Sequence, residues 1–473
     1  MTKPHRRRLF RLFAVALGLL PLVVIESTLR ITETSSPTWG DPSIRVDSQP
    51  ALFVLDESGE RYQIDPARSN YFQPASFSAN KKATTRRVFV LGGSTVQGRP
   101  YAPETAFSTW LKIWLTTCDD RHDYEVVNCG GVSYASYRVA KILDEVLTHQ
   151  PDAVVLYTGH NEFLENRTYA DRRNRGVTAK AIDSLAEHLR TVRWAQNKFA
   201  PPARKGHSLA PEVSVRLDNA GGLESYRRDG DWRTGVETDF RDSFAGMLAN
   251  CETTGVPLIV CLPACDLIDT PPFKSAVDPA LSSADRATCT SLWQTLQSDA
   301  TFEEKQRACR ELLALDPKHA GANFWTGREM LDSRQDTRLA RQHLITARDE
   351  DVCPLRATTT IIRTVRELTD KRFPLVDTPS LFDDDDDALP ETRWFVDHIH
   401  PSIAGHQRIA ASLAERFAGL GWIQIDDGSR RRVQTASGQY FETLGEEYFH
   451  RGRQRLRGLQ QWAAGRAGMD LDE

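Results

Sequence analysis

The stretch Arg87–Thr95 (RVFVLGGST) joins a short apolar run to a Gly-Gly-Ser-Thr turn. Residues Arg87 to Leu91 have the length and apolar character of a buried strand, and the two glycines that follow permit a tight turn. Such a turn presents the hydroxyl of Ser94 at the carboxyl end of the strand, where ligands bind in open α/β folds. Taken alone, the turn suits a phosphate-binding or helix-capping loop equally well.

The segments around this strand alternate between helical and strand patterns. Apolar residues recur at helical spacing after the turn, and short apolar runs that suit buried strands recur further along the chain. Strands that alternate with helices imply a parallel, doubly wound sheet of the α/β class. The predicted strands are residues 87–91, 124–127, 153–157, 256–262 and 374–377, and the predicted helices are residues 107–118, 139–147, 240–249, 355–368 and 402–419.

Polar segments follow two of the other strands, and a further one precedes the last core helix. Asn128–Ser133 (NCGGVS) and Gly159–Glu162 (GHNE) offer backbone N–H groups and an amide side chain. These are the donors that a tetrahedral oxyanion requires. In Asp397–Pro401 (DHIHP), a carboxylate three residues before a histidine can bind one ring nitrogen of that histidine. The other nitrogen is then free to take a serine proton.

Together with the Ser94 turn, these segments resemble the SGNH (GDSL-like) hydrolase superfamily. Its esterases, lipases and carbohydrate acyl-hydrolases share a flavodoxin-like sheet. The resemblance implies that Ser94 is the nucleophile and that Asp397 and His400 complete its triad. It also implies that the Asn161 side chain donates a hydrogen bond to the oxyanion.

Backbone N–H groups are expected to complete the oxyanion hole. The N–H of Ser94 itself is one candidate. The N–H groups of Gly131 and Ser133, in the segment Asn128–Ser133, are two others. The chain departs from the family pattern in two places. Gly93 stands where the Gly-Asp-Ser motif of the family has its acidic residue. In the segment Asn128–Ser133, the position at which the family has its glycine is occupied by Ser133.

A narrower resemblance extends over most of the chain. The stretches Tyr157–Phe163 (YTGHNEF), Cys353–Ala357 (CPLRA) and Phe395–Pro401 (FVDHIHP) are similar to bacterial membrane-anchored SGNH proteins that carry a tetratricopeptide-like insertion. This subgroup has no defined substrate. The resemblance therefore predicts architecture more sharply than activity.

The N-terminus has the charge pattern of a membrane anchor. Basic residues from Lys3 to Arg11 precede the apolar run Leu12–Ile25, so the run is predicted to leave the cytoplasm. No small-residue cleavage site follows, which favours an uncleaved single-pass anchor over a signal peptide, the alternative that remains open. The rest of the chain is then expected to be extracytoplasmic, in the periplasm or at the cell surface of a bacterium.

Two segments are predicted to lie outside the sheet domain. Residues 29–85 are polar and resemble a spacer, whereas residues 266–350 contain weak helical repeats that are similar to one and a half tetratricopeptide repeats. The insertion leaves the sheet at the carboxyl end of a strand, so we expect it to overhang the active site. The predicted boundaries are an anchor at 1–28, a spacer at 29–85, a hydrolase domain at 86–265 and 351–421, the insertion at 266–350 and a helical tail at 422–473.

Composition and spacing bear on other classes of function. With 60 Lys and Arg residues against 64 Asp and Glu residues, the chain has no net basic character that would favour nucleic acid as a partner. No cofactor or metal is expected, although His398 and His400 could bind a metal with Asp397 or His160, and the acidic run Asp383–Asp387 could bind calcium. The eight cysteines are expected mostly as buried thiols, with one or two disulfides left open.

The predicted activity is hydrolysis of an ester through an acyl-Ser94 intermediate. An acylated carbohydrate or lipid of the cell envelope is the expected substrate. One alternative is an acyltransferase, in which a sugar hydroxyl captures the acyl group. Another is an inactive scaffold that binds a partner protein through the helical insertion.

Overall fold

The computed structural model of the chain describes residues 21, 24–28, 49–165, 210, 212–218, 221–385 and 387–463. Contacts divide the chain into two units. In the first, Met1–Arg45 with Arg167–Leu209, the described residues form a short helical segment in which the Thr28 hydroxyl donates to Val24 O. The second unit, Val46–Asn166 with Ala210–Glu473, contains every element named below.

The predicted apolar run Leu12–Ile25 lies mostly outside the described residues. None of the helices among the described residues has the length and hydropathy that a membrane crossing requires.

Strands and α-helices alternate through the central part of the second unit. The strands are β1 (Phe53–Leu55), β2 (Arg61–Ile64), β3 (Ser76–Ser78), β4 (Thr85–Gly92), β5 (Asp123–Gly130), β6 (Ala153–Tyr157), β7 (Leu258–Cys261) and β8 (Leu375–Val376). The helices are α1 (Ser94–Gln97), α2 (Phe107–Cys118), α3 (Ser136–Val146), α4 (Gly230–Thr254), α5 (Ser283–Gln297), α6 (Phe302–Leu315), α7 (Ala320–Asp332), α8 (Thr337–Asp349), α9 (Thr359–Thr369), α10 (Thr378–Leu381), α11 (Ile403–Gly419), α12 (Asp427–Glu442) and α13 (Glu446–Ala463).

The central sheet is parallel and has the order β5-β4-β6-β7-β8. Numbered along the chain, this is the 2-1-3-4-5 order of flavodoxin-like folds. The predicted α/β class and doubly wound parallel sheet are therefore confirmed. Gly92 lies opposite both Gly130 and Tyr157, so the carboxyl ends of β4, β5 and β6 are level with one another.

Side chains of β4 point alternately to the two faces of the sheet, as the pleat of a strand requires. Val88 and Val90 belong to a buried cluster with residues of α2 and α11, which pack against each other on that face. Phe89 and Leu91 are fully buried on the other face, where α3 contacts both β4 and α4. A strand buried on both faces explains why this stretch reads as a continuous apolar run.

The predicted spacer is wrong for its described part, because β1, β2 and β3 form an antiparallel sheet within residues 53–78. Phe53 and Phe77 pack their rings against Phe89 of the central sheet, with centroids 6.0 and 5.2 Å away. The carboxylate of Glu145 also accepts hydrogen bonds from the Leu52 and Phe53 N–H groups. Short strands and scattered aromatic residues make no long apolar pattern, which is why the sequence suggests a spacer.

The predicted insertion is helical in the structure. Helices α5 to α8 follow β7 and form contacting pairs, α5 with α6 and α7 with α8. One buried cluster lies inside the insertion and includes Leu296, Leu312 and Ala322. A second cluster joins Leu344 of α8 to Cys265 and Ile399 of the sheet domain, so the insertion packs on that domain.

The C-terminal part of the chain adds further helices to the sheet domain. Ser402 caps α11 by accepting from the Gly405 N–H. Helix α12 packs on α2, where Trp110 contacts Tyr440 edge to face, and α13 follows it. Every cysteine is a free thiol, and all of them except Cys118 are buried.

Candidate active site

Ser94, His400 and Asp397 form a continuous hydrogen-bonded chain. The Ser94 Oγ lies 2.8 Å from His400 Nε2, and His400 Nδ1 lies 2.7 Å from Asp397 Oδ2. The other oxygen of Asp397 accepts hydrogen bonds from the Ile399 and His400 N–H groups. The structure thus brings together residues that are 306 positions apart, in the arrangement that a serine nucleophile and its base require.

The surroundings keep Asp397 ionised. Its burial alone would raise the carboxyl pKa, but the electrostatic effects of the nearby His400 and His398 rings and the hydrogen bonds from His400 outweigh that effect and hold the pKa well below its usual range. An ionised Asp397 accepts the Nδ1–H of His400, which leaves Nε2 as the nitrogen that faces the Ser94 hydroxyl.

Asn161 lies directly beside the Ser94 turn. Its Nδ2 donates to Tyr134 O at 3.0 Å, and an amide nitrogen carries a second N–H. A Cβ placed on Gly93 would lie only 2.4 Å from this nitrogen. Glycine at position 93 therefore leaves room for the Asn161 amide where it is seen in the structure.

The candidate backbone donors differ in their availability. The Gly131 N–H donates to Gly92 O at 3.0 Å, so Gly131 is wrong as an oxyanion donor. The N–H groups of Ser94 and Ser133 have no acceptor among the described residues. Ser133 has φ +62°, in the left-handed region, and it lines the pocket in front of Ser94. The roles of the Ser133 and Ser94 N–H groups as oxyanion donors stay predictions.

The predicted spacer segment shapes this site. Tyr71 O accepts from the Val132 N–H at 2.9 Å and from Gln97 Nε2 at 2.8 Å. Through these two hydrogen bonds, the segment Asn128–Ser133 and the end of α1 contact the same carbonyl group. Positions of the Ser94 turn and of Ser133 are thereby fixed relative to each other.

A pocket of about 370 Å³ opens in front of the triad. Ser94, Asn161, Ser133 and His400 contribute to its wall. No residue of 266–350 does, so the expectation that the insertion overhangs the active site is wrong for the described pocket. Residues of the C-terminal helix α13 line the pocket instead. The remaining lining residues are Arg99, Val132, Leu164, Val215, Asp218, Leu355, His398, Ile399, Arg455, Gly458, Leu459 and Trp462.

His398 and His160 are buried neutral histidines. Burial lowers the pKa of His398 to about 4, since the charges of His400 and Arg356 offset the opposing effect of Asp397. Burial also lowers the pKa of His160 to about 3, and its Nδ1 accepts from the Ala357 N–H. Within the described ranges, no group of three or more His, Cys, Asp or Glu side chains is placed to hold a metal ion.

The sequence did not predict the pocket residues that lie outside the Ser94 turn and the three polar segments. The most important of these are Arg99, Arg455, Leu459 and Trp462. The spacing of Leu444, Tyr448, Leu456, Leu459 and Ala463 did predict a helix near the C-terminus. Nothing in that spacing says where the helix docks. Its position depends on side-chain contacts with residues 101–105, more than 300 positions away.

No protein-family model and no curated protein matches this sequence. Among solved structures, the chain is similar to Axe2, an acetylxylan esterase from Geobacillus stearothermophilus, with 13% identity over 72% of this chain and 97% of that one and a TM-score of 0.33. It is also similar to LAE5, described as an α/β hydrolase from the metagenome of Lake Arreo, Spain, with 14% identity over 72% and 97% and a TM-score of 0.32. A lipase/acylhydrolase from Enterococcus faecalis matches with 11% identity over 72% and 99% and a TM-score of 0.30.

Because these TM-scores are low, the site is interpreted from the chain's own geometry. The sheet order is 2-1-3-4-5, and Ser94 and Asn161 follow the first and third strands of that sheet. Asp397 and His400 reach Ser94 from the loop before the last core helix. The sheet order, the positions of these residues and the triad geometry agree with what the resemblance to SGNH (GDSL-like) hydrolases implies.

Proposed function

We propose that the protein hydrolyses a carboxylic ester through an acyl-Ser94 intermediate. The observation that carries the proposal is the unbroken hydrogen-bonded chain from Ser94 Oγ through His400 to Asp397. An assembled triad beside an open pocket argues against the inactive scaffold, which would have no need to keep the triad geometry.

In the first step, Ser94 Oγ attacks the ester carbonyl while His400 Nε2 takes the hydroxyl proton. Asp397 holds Nδ1–H and stabilises the imidazolium that forms. The Ser94 N–H and the second N–H of Asn161 donate to the developing oxyanion, with Ser133 N–H as a third candidate. His400 then protonates the leaving alcohol, and a water molecule releases the acid from Ser94 by the same steps in reverse order.

The proposal is tested by labelling with a fluorophosphonate probe and by hydrolysis of 4-nitrophenyl acetate. Wild-type protein should be labelled and active, whereas Ser94→Ala should be neither. The matched control is Ser133→Ala, which removes the other pocket serine hydroxyl but keeps its backbone N–H, and it should still be labelled. Equal labelling of Ser94→Ala and wild type, or no labelling of folded wild type, would overturn the assignment.

The location proposed for this activity is the bacterial cell envelope. The basic flank and the apolar run Leu12–Ile25 support an N-terminal membrane anchor with the hydrolase domain outside the cytoplasm. An acylated envelope carbohydrate or lipid is then the substrate within reach. Full-length protein should resist carbonate extraction from membranes, and removal of residues 1–28 should release it. Recovery of a processed soluble form would replace the anchor with a cleaved signal peptide.

The insertion is proposed to be tetratricopeptide-like and to bind a partner protein. Its paired helices and its own buried cluster support this. Phe302, which is 55% exposed, and Leu339, which is 40% exposed, lie on the insertion as candidate contacts. Crosslinking of wild type and of Phe302→Glu in bacterial envelopes would test it. A partner captured equally by both proteins would place the contact elsewhere.

A further inference from the structure

Two arginines line the pocket that holds the triad. Arg99 lies at the end of the turn that follows Ser94, and its N–H donates to Ser94 O at 3.2 Å. Arg455 comes from α13, the last helix among the described residues. The proposed reaction on a neutral ester needs neither guanidinium, so their presence at the site calls for a separate explanation.

Arg455 is held in place by the docking of its helix. Tyr448 of α13 shares a hydrogen bond of 2.7 Å with the Thr105 hydroxyl, and Gly452 packs so closely on Tyr101 that a Cβ there would lie 2.2 Å from the ring. Arg455 Nη1 then donates to Tyr101 O at 2.5 Å. One of the five N–H groups of the guanidinium is used in this way, and the others stay available to a ligand.

The two arginines are close enough for the charge of Arg455 to act on Arg99. Burial, with the charge of Arg455 as a second cause, lowers the pKa of Arg99. Within the described ranges, neither guanidinium has an acidic side chain at ion-pair distance. The carboxylate that lines the same pocket, Asp218, accepts a hydrogen bond from Trp462 Nε1 at 2.8 Å. Arg99 is partly buried and Arg455 is exposed, and the free-energy cost of a second positive charge beside the partly buried guanidinium is one that an anionic ligand would offset.

We propose that Arg99 and Arg455 form a subsite for an anionic group, a carboxylate or a phosphate, carried by the substrate of Ser94. Guanidinium forks match both groups through paired hydrogen bonds. The apolar part of such a substrate would contact the remaining walls of the pocket, which Leu355, Leu459 and Trp462 help to form. This inference rests on the proposed esterase activity and names a substrate class for it: esters with an acidic group close to the acyl bond.

The test compares acetyl esters of the same size that differ in charge. 4-Acetoxybenzoate carries a carboxylate, 4-acetoxybenzamide is its neutral counterpart, and 4-acetoxyphenyl phosphate carries a phosphate. We expect wild type to prefer the benzoate to the benzamide by about tenfold or more in kcat/KM, since charge-assisted bonds are the strong ones. A larger preference for the phosphate would identify phosphate as the natural anion.

Substitutions locate the source of that preference. Arg455→Gln and Arg99→Gln should each lower the ratio of kcat/KM for benzoate over benzamide by about threefold or more, and the double variant should bring it near one. Arg455→Lys should restore part of it. The matched control is Arg453→Gln, an exposed residue of the same helix that does not line the pocket, and it should leave the ratio unchanged. A ratio near one in wild type, or one that these variants leave intact, overturns the subsite.

A binding measurement separates this inference from the esterase proposal. The amides 4-acetamidobenzoate and 4-acetamidobenzamide resist hydrolysis, and their affinities for Ser94→Ala protein can be compared by calorimetry. Tighter binding of the anionic amide that is lost in Ser94→Ala/Arg455→Gln supports the subsite even if wild type cleaves no ester. The absence of any preference for the anionic amide overturns the subsite even if wild type is an active esterase.

Discussion

Replacement of Gly93 by alanine should disable the oxyanion hole through Asn161. The added Cβ would lie 2.4 Å from Asn161 Nδ2, whereas ordinary van der Waals contact begins at 3.4 Å, so the amide must move by about 1 Å. The Gly93 backbone has φ −90°, a value that alanine adopts without strain. The far end of the Asn161 side chain is therefore the part that gives way.

A displacement of about 1 Å exceeds the tolerance of an oxyanion donor, whose nitrogen must lie within about 2.7–3.1 Å of the developing charge. Loss of one such donor costs about 10²- to 10³-fold in kcat, or roughly 2.7–4 kcal/mol. Because the amide is at the end of a side chain, the free energy of unfolding should change far less than the barrier of the reaction. The expected pattern is a low kcat in a protein that still folds and that a fluorophosphonate still labels, only more slowly.

The assay is hydrolysis of 4-nitrophenyl acetate by Gly93→Ala, Asn161→Ala and the double variant. If the alanine acts through Asn161, removal of that side chain makes room for the methyl group, and the double variant should be no slower than Asn161→Ala. Gly438→Ala is the control, since a Cβ there has no atom within 4 Å. A kcat of Gly93→Ala within about threefold of wild type, or losses that add in the double variant, would refute the reasoning.

Three further outcomes are expected. Asp397→Asn should lower kcat by about 10²-fold or more, whereas His398→Ala should have a much milder effect; the reverse order in a steady-state assay would contradict the triad. Leu344→Ala should cost about 2–5 kcal/mol of unfolding free energy in urea and also lower kcat, since Leu344 shares a buried cluster with Ile399 beside the triad; unchanged kcat would separate the insertion from catalysis. Burial lowers the pKa of His406 to about 3, so the unfolded chain binds a proton below about pH 6.5 that the folded chain refuses, and stability falls as the pH falls. Between pH 7 and 5 this residue should account for roughly 2 kcal/mol, and an equally steep loss in His406→Gln would refute it.

The sequence predicted the central sheet and the triad because each depends on local chemistry. Continuous apolar runs such as Arg87–Leu91 belong to strands that are buried on both faces, and few other patterns imitate them. Ser94, Asn161, Asp397 and His400 lie in short blocks where the side chain itself performs the chemistry. A parallel sheet then brings the ends of its strands together, so the meeting of these blocks followed once the sheet was assigned.

Features that depend on long-range packing escaped the sequence. The Gly131 N–H, directly after β5, donates to Gly92 O at the end of β4, and no residue pattern marks this contact. Residues 53–78 hold short strands whose few aromatic side chains become a core only against Phe89. The position of Arg455 at the pocket depends on Gly452, whose missing side chain lets α13 approach Tyr101. Composition alone shows none of these pairings.

The loop that carries Asp397 and His400 is fixed from both of its sides, which changes what removal of the insertion should do. On one side, Ile399 is buried with Leu344 of the insertion, and on the other, Phe395 belongs to the core beneath the sheet. Deletion of residues 267–350 would expose Ile399 and free the loop, so hydrolysis even of a small acetyl ester should fall. An insertion that merely screened the pocket would give the opposite result, because small esters would gain access. Helix α13 contributes to the wall of the pocket and the insertion does not, so we expect substrate choice to depend on α13 and the position of the triad loop to depend on the insertion.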